Sequence, residues 1–202
     1  MLIVGITGGS GSGKTTMSQA LGRIAGNSID ADAVYHELLE DCVVMRKEII
    51  DRFPQARDES NRIDRKKLAK TVFSDPLALK DLNAITHRYV VREIERRIGD
   101  SYRGNSEITV IDAAALFESG VDSICDVTVG VIAPRNLRIK RIMKRDGLDE
   151  QRAALRIDAQ PGENFYRERC DYIIDTGDDI NVEEVASFLY QQIMEGMELH
   201  NE

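Results

Sequence analysis

The sequence predicts an α/β protein whose core is a five-stranded parallel sheet flanked by helices. Five short apolar runs recur along the chain, and segments of helical periodicity separate them. The first run ends in a glycine-rich segment at residues 8–15, which is followed by apolar residues at helical spacing. In such sheets ligands bind beyond the carboxyl ends of the strands, so functional residues are expected there.

The five expected strands are short and rich in β-branched residues. After the first of them, Met17, Leu21 and Ile24 recur at helical spacing, and Gly26 is a typical helix stop. The first strand is therefore expected to lead through a tight loop into a helix. The predicted strands are Leu2–Thr7, Ser28–Ala31, Glu107–Asp112, Asp126–Ala133 and Asp171–Asp175.

A long stretch between the second and third strands has helical character. No convincing strand is found from Asp32 to about Asp100, and Asp75 followed by Pro76 is typical of a helix start. Helices are also expected at residues 135–145 and 149–160, and after Asn181. We therefore expect a core of residues 1–31, 101–134 and 170–202, a helical insertion at 32–100 and a separate helical segment at 135–169.

The composition is that of an ordinary globular protein, with 202 residues of which 42% are hydrophobic. The 27 lysines and arginines against 35 aspartates and glutamates leave a net charge of -8, which argues against a nucleic-acid partner. The three cysteines lie far apart and form no Cys-x-x-Cys pair, so a reduced cytoplasmic chain is expected. Apolar runs are too short for a membrane helix, and no protein partner is indicated.

Residues 8–15 match the pattern G-x-x-x-x-G-K-[ST] of a phosphate-binding loop, or P-loop. Its glycines allow backbone N–H groups to converge on phosphate oxygens, and the N-terminus of the next helix adds partial positive charge. Lys14 is expected to bridge the β- and γ-phosphates, and Thr15 to bind Mg²⁺. The predicted ATP-binding residues are Gly9, Ser10, Gly11, Ser12, Gly13, Lys14, Thr15 and Thr16.

Three aspartates lie at or just beyond the ends of expected strands. Asp112 ends a strand where P-loop proteins keep a carboxylate for magnesium, although it could instead cap the next helix. Asp30 and Asp32 are two residues apart and share one face of an extended segment. One of this pair could accept the proton of an attacking hydroxyl, whereas the alternative is one helix cap and one solvated carboxylate.

Residues 135–145 contain six basic side chains and no acidic one, in a chain that is acidic as a whole. Arg138, Arg141 and Arg145 fall on one helical face. Such guanidinium groups can stabilise a transferring phosphoryl group, and a solvated basic surface is the alternative. A second basic stretch begins at Arg62 and includes Arg65, and His87 and Arg88 follow further along the chain. These residues could bind the substrate or form a solvated surface. No N-K-x-D segment is present, which disfavours a GTP switch.

Eight segments along the chain form a further pattern, namely Gly5–Gly9, Asp30–Asp32, Ile63–Leu68, Leu82–His87, Leu116–Glu118, Arg141–Gly147, Gln160 and Cys170–Ile174. Their order and spacing resemble the dephospho-CoA kinase family over nearly the whole chain. The resemblance implies a core like that of the nucleoside monophosphate kinases, a helical CoA-binding domain at 32–100 and a lid at 135–169. It also implies transfer of the ATP γ-phosphate to the ribose 3′-hydroxyl of dephospho-CoA, with ATP and Mg²⁺.

The resemblance also assigns roles. Asp32 is similar to the family's catalytic aspartate, and Arg141 and Arg145 are similar to its lid arginines. Together with Lys14 these form the predicted catalytic set, and the predicted acceptor-binding residues are Asp32, Arg65, His87 and Arg88.

The chain departs from the family's pattern at two places on the expected acceptor side. The family has proline where this chain has Arg88, and Pro-Leu where this chain has Ala114 and Ala115. The amino-acid sequence of the P-loop also resembles that of uridine kinase. A nucleoside kinase and an ATP-binding regulatory protein without phosphoryl transfer are therefore the alternatives.

Overall fold

A computed structural model describes residues 1–102, 107–177 and 180–198, apart from the side chains at positions 73, 101, 102, 197 and 198. The segments 103–106, 178–179 and 199–202, which the sequence assigns to the core, lie outside the described residues. Five parallel strands form one sheet, as expected, and their order is β2-β3-β1-β4-β5. Their bounds are β1 Leu2–Thr7, β2 Ser28–Asp30, β3 Ile108–Asp112, β4 Val127–Ile132 and β5 Tyr172–Asp175.

Two helix ends lie at signals that the sequence contains. Gly26 closes the first helix with a φ of 86°, and the Asp75 carboxylate accepts from the N–H of Leu77 at 2.9 Å where the fifth helix begins. The helices are α1 Lys14–Ala25, α2 Ala31–Asp41, α3 Val43–Arg52, α4 Arg65–Ser74, α5 Pro76–Tyr102, α6 Arg135–Asp146, α7 Glu150–Asp158, α8 Glu163–Arg169 and α9 Val182–Glu198. No helix in the described ranges has the length and apolar character that crossing a bilayer requires.

The central strand β1 separates two apolar layers. Leu2, Val4 and Ile6 pack with α1 and α9 on one face of the sheet, and Ile3 faces the layer formed with α2 and α5. Both faces of the sheet are therefore covered, which explains why the amino-acid sequences of the strands are almost continuously apolar.

The carboxyl ends of three strands are level with one another. In the parallel register, Asp112 of β3 lies opposite Ile6 of β1 on one side and opposite Asp30 of β2 on the other. β2 ends one residue earlier than predicted because Asp30 caps α2, with its carboxylate accepting from the N–H of Ala33 at 2.9 Å. The register thus brings the predicted site residues to one edge of the sheet.

The helical insertion and the lid each contain an apolar cluster of their own. In the insertion, Met45, Ile49 and Phe53 are fully buried against α4 and α5, and in the lid Ile142 packs with Ala153. The division into core, insertion and lid stays a prediction, which these separate clusters support. The insertion is not wholly helical, because the loop before α4 closes with an antiparallel bridge between Arg57 and Ile63.

Gly120 shows how the insertion meets the core. It has a φ of 63°, and a Cβ at this position would lie 2.1 Å from Cε1 of His87 on α5. We expect Gly120→Ala to lower the free energy of unfolding by about 1–3 kcal/mol, because alanine is strained in this backbone conformation and would displace the imidazole. Urea unfolding followed by circular dichroism measures this change.

Gly99→Ala is the matched control. Gly99 lies within α5, and a Cβ added there meets no atom within 4 Å. Alanine should therefore raise the free energy of unfolding by about 0.5–1 kcal/mol through its higher helix propensity. Equal effects of the two substitutions would contradict the proposed contact between Gly120 and His87.

Candidate active site

The P-loop leaves β1 and wraps around the N-terminus of α1. Gly11 and Gly13 have φ values of 77° and 92°, which turns successive N–H groups toward one concave side of the loop. That side borders a cleft of about 660 Å³, here called the P-loop cleft. Seven of the eight predicted ATP-binding residues line it, namely Gly9, Ser10, Gly11, Gly13, Lys14, Thr15 and Thr16. The eighth, Ser12, is buried behind the loop with 1% of its surface exposed.

Lys14 is the first residue of α1, and its ammonium group forms an ion pair with the carboxylate of Asp112. Burial lowers the pKa of Lys14, whereas the nearby carboxylates of Asp32 and Asp30 favour its charged form. Asp112 is itself buried, and the residues that follow it form turns rather than a helix. The helix-cap alternative for Asp112 is therefore wrong, because its carboxylate faces the P-loop lysine.

Asp30 and Asp32 have different positions: one caps a helix and the other faces the cleft. Asp30 caps α2, and Asp32 in the first turn of that helix faces the P-loop cleft. Surrounding protein atoms raise the pKa of Asp32, although the residue stays in contact with solvent at the cleft surface. Lys14 and a hydrogen bond from the N–H of Ala114 act in the opposite direction. Proline has no N–H, so Ala114 can make a contact to Asp32 that the family's usual residue cannot.

The lid helix α6 reaches the same cleft. Arg141 and Arg145, the two arginines predicted to be catalytic, line it. Arg141 donates from Nη1 to Oγ1 of Thr176 at 2.9 Å and from Nη2 to the Thr176 carbonyl oxygen at 2.8 Å. Arg145 is held beside the cleft by hydrogen bonds of 2.8 and 2.9 Å to Asp146. Arg138 and Arg141 thus contact the protein on the inner face of α6, whereas 60% of the Arg145 side chain is exposed, so a role for this face in binding stays a prediction.

Three side chains that the sequence analysis did not assign to the site contact the P-loop. Arg138 donates from Nε to the carbonyl oxygen of Ser10 at 2.9 Å, and Gln160 accepts from the N–H of Ser10 at 2.8 Å. Thr176, just after β5, donates from Oγ1 to the carbonyl oxygen of Ser12. Arg138 could have been found from its place on the basic helix face, and Gln160 from the family pattern. No signal in the sequence marked Thr176.

A second cavity of about 420 Å³, here called the insertion cavity, opens between α2, α4 and α5. Among the predicted acceptor-binding residues, Asp32, Arg65 and His87 line it. Arg65 also binds the Glu40 carboxylate at 3.0 Å. Most of the remaining wall is apolar, formed by residues such as Tyr35, Leu39, Leu68, Val72, Leu79, Leu82 and Val90.

Arg88 is not brought to this cavity. Its guanidinium group pairs with Glu48 on α3 and lies 5.1 Å from the centre of the Tyr89 ring, and 61% of the side chain is exposed. The reason is helical geometry, since consecutive residues on α5 point in different directions and His87 takes the inward one. The position of Arg88 therefore does not support the predicted contact with the acceptor.

The predicted metal ligands, Thr15 and Asp112, both offer oxygen atoms near Lys14. Mg²⁺ prefers oxygen ligands and is usually held by one or two carboxylates together with substrate phosphates. Among the described residues, no group of three or more histidines, cysteines or acidic residues could hold a metal ion. The donors present thus fit a magnesium ion that shares its coordination with phosphate oxygens.

The sheet order, the phosphate-binding loop after the central strand and the arginine-bearing helix beside it define a P-loop kinase fold. The model for dephospho-CoA kinase matches residues 2–182. The chain belongs to the dephospho-CoA kinase family.

Individual relatives agree with this family. The dephospho-CoA kinase of Moorella thermoacetica is 37% identical over 182 residues, which cover 89% of this chain and 86% of that protein. The crystal structure of TT1252 from Thermus thermophilus superposes with a TM-score of 0.79 at 31% identity, covering 96% of this chain and 97% of that chain. Dephospho-CoA kinase from Campylobacter jejuni has a TM-score of 0.62 at 25% identity, with 96% and 98% covered.

Proposed function

We propose that this protein transfers the γ-phosphate of ATP to the ribose 3′-hydroxyl of dephospho-CoA. One observation carries the proposal: Asp32 lines both the P-loop cleft and the insertion cavity. A carboxylate at this junction can contact a hydroxyl of an acceptor in one cavity while phosphates occupy the other. Family membership identifies the acceptor, and the largely apolar insertion cavity suits a long, partly apolar molecule.

In this proposal each described side chain has a definite task. The P-loop N–H groups and Lys14 bind the phosphates, and Asp32 orients the acceptor hydroxyl and accepts its proton. Arg145 lies on the lid side of the cleft, where its charge would stabilise the transferring group, and Arg141 lies closer to the loop. Arg65 and His87 are proposed to contact the acceptor in the insertion cavity.

We also propose Thr15 and Asp112 as the residues that hold Mg²⁺, one directly and the other directly or through water. The ion would neutralise charge that develops on the phosphate oxygens. Asp112 is then shared between Lys14 and the metal site, which keeps its buried carboxylate paired in either state.

The three thiols support a cytoplasmic site of action. Cys42, Cys125 and Cys170 are all unpaired in the structure, and burial raises the pKa of Cys125 to about 12. A buried thiol with a raised pKa is unreactive, and unpaired cysteines are typical of proteins in a reducing compartment. We therefore propose that the enzyme works in the cytoplasm, on ATP and dephospho-CoA as small-molecule substrates.

The two alternatives are weaker. The dephospho-CoA kinases of Moorella thermoacetica and Campylobacter jejuni match nearly the full length of the chain, and the resemblance to uridine kinase is confined to the P-loop. A regulatory protein without phosphoryl transfer would not need Lys14 and Asp32 at one cleft.

An ADP-release assay with a panel of acceptors tests the proposed function. The purified protein is incubated with MgATP and, separately, dephospho-CoA, uridine, cytidine and nucleoside monophosphates. We expect the highest kcat/KM with dephospho-CoA. Preference for a nucleoside would favour the first alternative, and nucleotide binding without turnover of any acceptor would favour the second.

Arg65→Met tests the insertion cavity. The substitution keeps most of the aliphatic stem but removes the charge, so we expect the KM for dephospho-CoA to rise about tenfold, the cost of one charge-assisted hydrogen bond. The KM for ATP should stay unchanged, because Arg65 lines the insertion cavity and not the P-loop cleft. Arg62→Met is the matched control, because Arg62 is exposed in the loop before α4. An equal rise in both KM values, or the same effect of the control, would contradict the assignment.

A further inference from the structure

Three successive carbonyl groups of the P-loop accept hydrogen bonds from outside the loop. The carbonyl oxygen of Ser10 accepts from Arg138 Nε at 2.9 Å, and that of Gly11 accepts from Arg141 Nη1 at 3.2 Å. The carbonyl oxygen of Ser12 accepts from Oγ1 of Thr176. The donors come from the lid helix α6 and from the end of β5, so two separate parts of the chain hold one short loop.

These hydrogen bonds affect the opposite side of the loop. In a phosphate-binding nest the carbonyl groups point outward and the N–H groups point into the concavity. The N–H groups of Ser10 and Ser12 are themselves bonded, at 2.8 Å to Gln160 and at 3.1 Å to the Gly9 carbonyl oxygen. Fixing the carbonyl oxygens on the outside therefore fixes the loop conformation, and with it the remaining N–H groups that can bind phosphate, before a ligand arrives. Preorganisation of this kind strengthens binding because less conformational freedom is lost on association.

Thr176 is the centre of this arrangement. It is 97% buried, with 3% of its surface exposed, and its backbone N–H binds the carbonyl oxygen of Ile132 at 2.8 Å. Its hydroxyl accepts from Arg141 at 2.9 Å while donating to Ser12, so one side chain connects the lid, the P-loop and the sheet. A Cβ added to Gly13 would lie 3.1 Å from this hydroxyl, which shows how closely Thr176 packs on the loop.

We infer that Thr176 is a positioning residue for ATP binding, which acts by orienting the P-loop and by holding Arg141 against it. Arg138 has the same role at the other end of the loop, where a Cβ on Gly9 would lie 2.3 Å from its Nη2. This inference rests on the proposed function for the identity of the acceptor only. The effect on ATP binding is expected whatever the acceptor is.

A pair of substitutions at position 176 tests the inference. Thr176→Val keeps the shape and removes the hydroxyl, and Thr176→Ser keeps the hydroxyl. By isothermal titration calorimetry with MgATP and no acceptor, we expect the valine variant to bind about tenfold more weakly, the equivalent of one buried hydrogen bond. The serine variant should bind within about threefold of the wild type, because the hydroxyl is the group that acts.

Kinetics separate positioning from a merely structural role. The KM for ATP should rise in Thr176→Val by the same factor as the dissociation constant, while the KM for the acceptor stays within about twofold. A residue needed only for stability would lower the melting temperature without this selective change. Wild-type affinity and kinetics in the folded valine variant would overturn the inference.

Arg138→Met provides an independent test in case Thr176→Val does not fold. It should also weaken MgATP binding about tenfold, whereas Arg135→Met on the same helix should not, because Arg135 binds Asp158 on α7. Equal affinities of the two arginine variants would overturn the inference. If the wild type instead prefers a nucleoside as acceptor, the proposed function fails, while the calorimetric pattern among the variants still decides the role of Thr176.

Discussion

Replacing Lys14 with alanine is expected to lower kcat about a thousandfold, equivalent to about 4 kcal/mol of transition-state stabilisation. Lys14 lies at the start of α1, lines the P-loop cleft and is the predicted bridge between the β- and γ-phosphates. Phosphoryl transfer depends mainly on positioning and on charge stabilisation, so loss of this ammonium group removes both. Steady-state ADP release with saturating ATP and dephospho-CoA measures the effect.

The substitution also leaves the buried carboxylate of Asp112 without its ion-pair partner, which lowers stability. The assay is therefore run well below the melting temperature of the variant. Lys47→Ala is the control, because Lys47 is exposed on α3 in the insertion. Normal turnover by folded Lys14→Ala would show that the P-loop site is assigned wrongly.

Replacing Asp32 with asparagine is expected to lower kcat about a hundredfold, the usual contribution of a positioned general base. Asparagine has nearly the same shape, so binding of both substrates should change little. Asp30→Asn is the matched control two residues away. Asparagine caps helices as well as aspartate does, so α2 should keep its cap and the activity should fall less than about fivefold. Equal losses in the two variants would contradict the different roles of the two carboxylates.

The pH dependence gives a second test of Asp32. The carboxylate must be ionised to accept a proton, and desolvation by the surrounding protein atoms raises its pKa. Activity should therefore be lost as the pH falls through this raised pKa, which lies above the ordinary value of about 3.9. The acidic limb of the kcat/KM profile should be absent from the Asp32→Asn variant. An unchanged limb in that variant would assign the titration to another group.

Local patterns in the sequence predict most of the fold. The strands of the sheet are apolar because both faces are covered, and their ends coincide with Asp30, Asp112 and the P-loop glycines. Because parallel strands end at one edge of a sheet, the meeting of Lys14, Asp32 and Asp112 follows from the strand assignment. These parts of the site depend on backbone geometry, which sequence patterns reveal.

The contacts that depend on side-chain packing were not predictable. Thr176 follows an ordinary strand, and only the folded sheet brings it to the P-loop, 164 positions from Ser12. Arg88 is adjacent to His87 in sequence, but the rotation of α5 directs it to Glu48 instead of the insertion cavity. Helical geometry places adjacent residues about 100° apart, so the two side chains are expected to diverge, but the sequence alone does not show which of them faces the cavity.

A competition experiment tests the central claim most directly. The wild-type protein is given MgATP with dephospho-CoA and uridine at equal concentrations, and the products are identified by mass spectrometry and ³¹P NMR. We expect coenzyme A, with the new phosphate on the ribose 3′-oxygen, and almost no uridine monophosphate. Phosphorylation of uridine, or of a different position on dephospho-CoA, would contradict the proposed placement of the acceptor hydroxyl at Asp32.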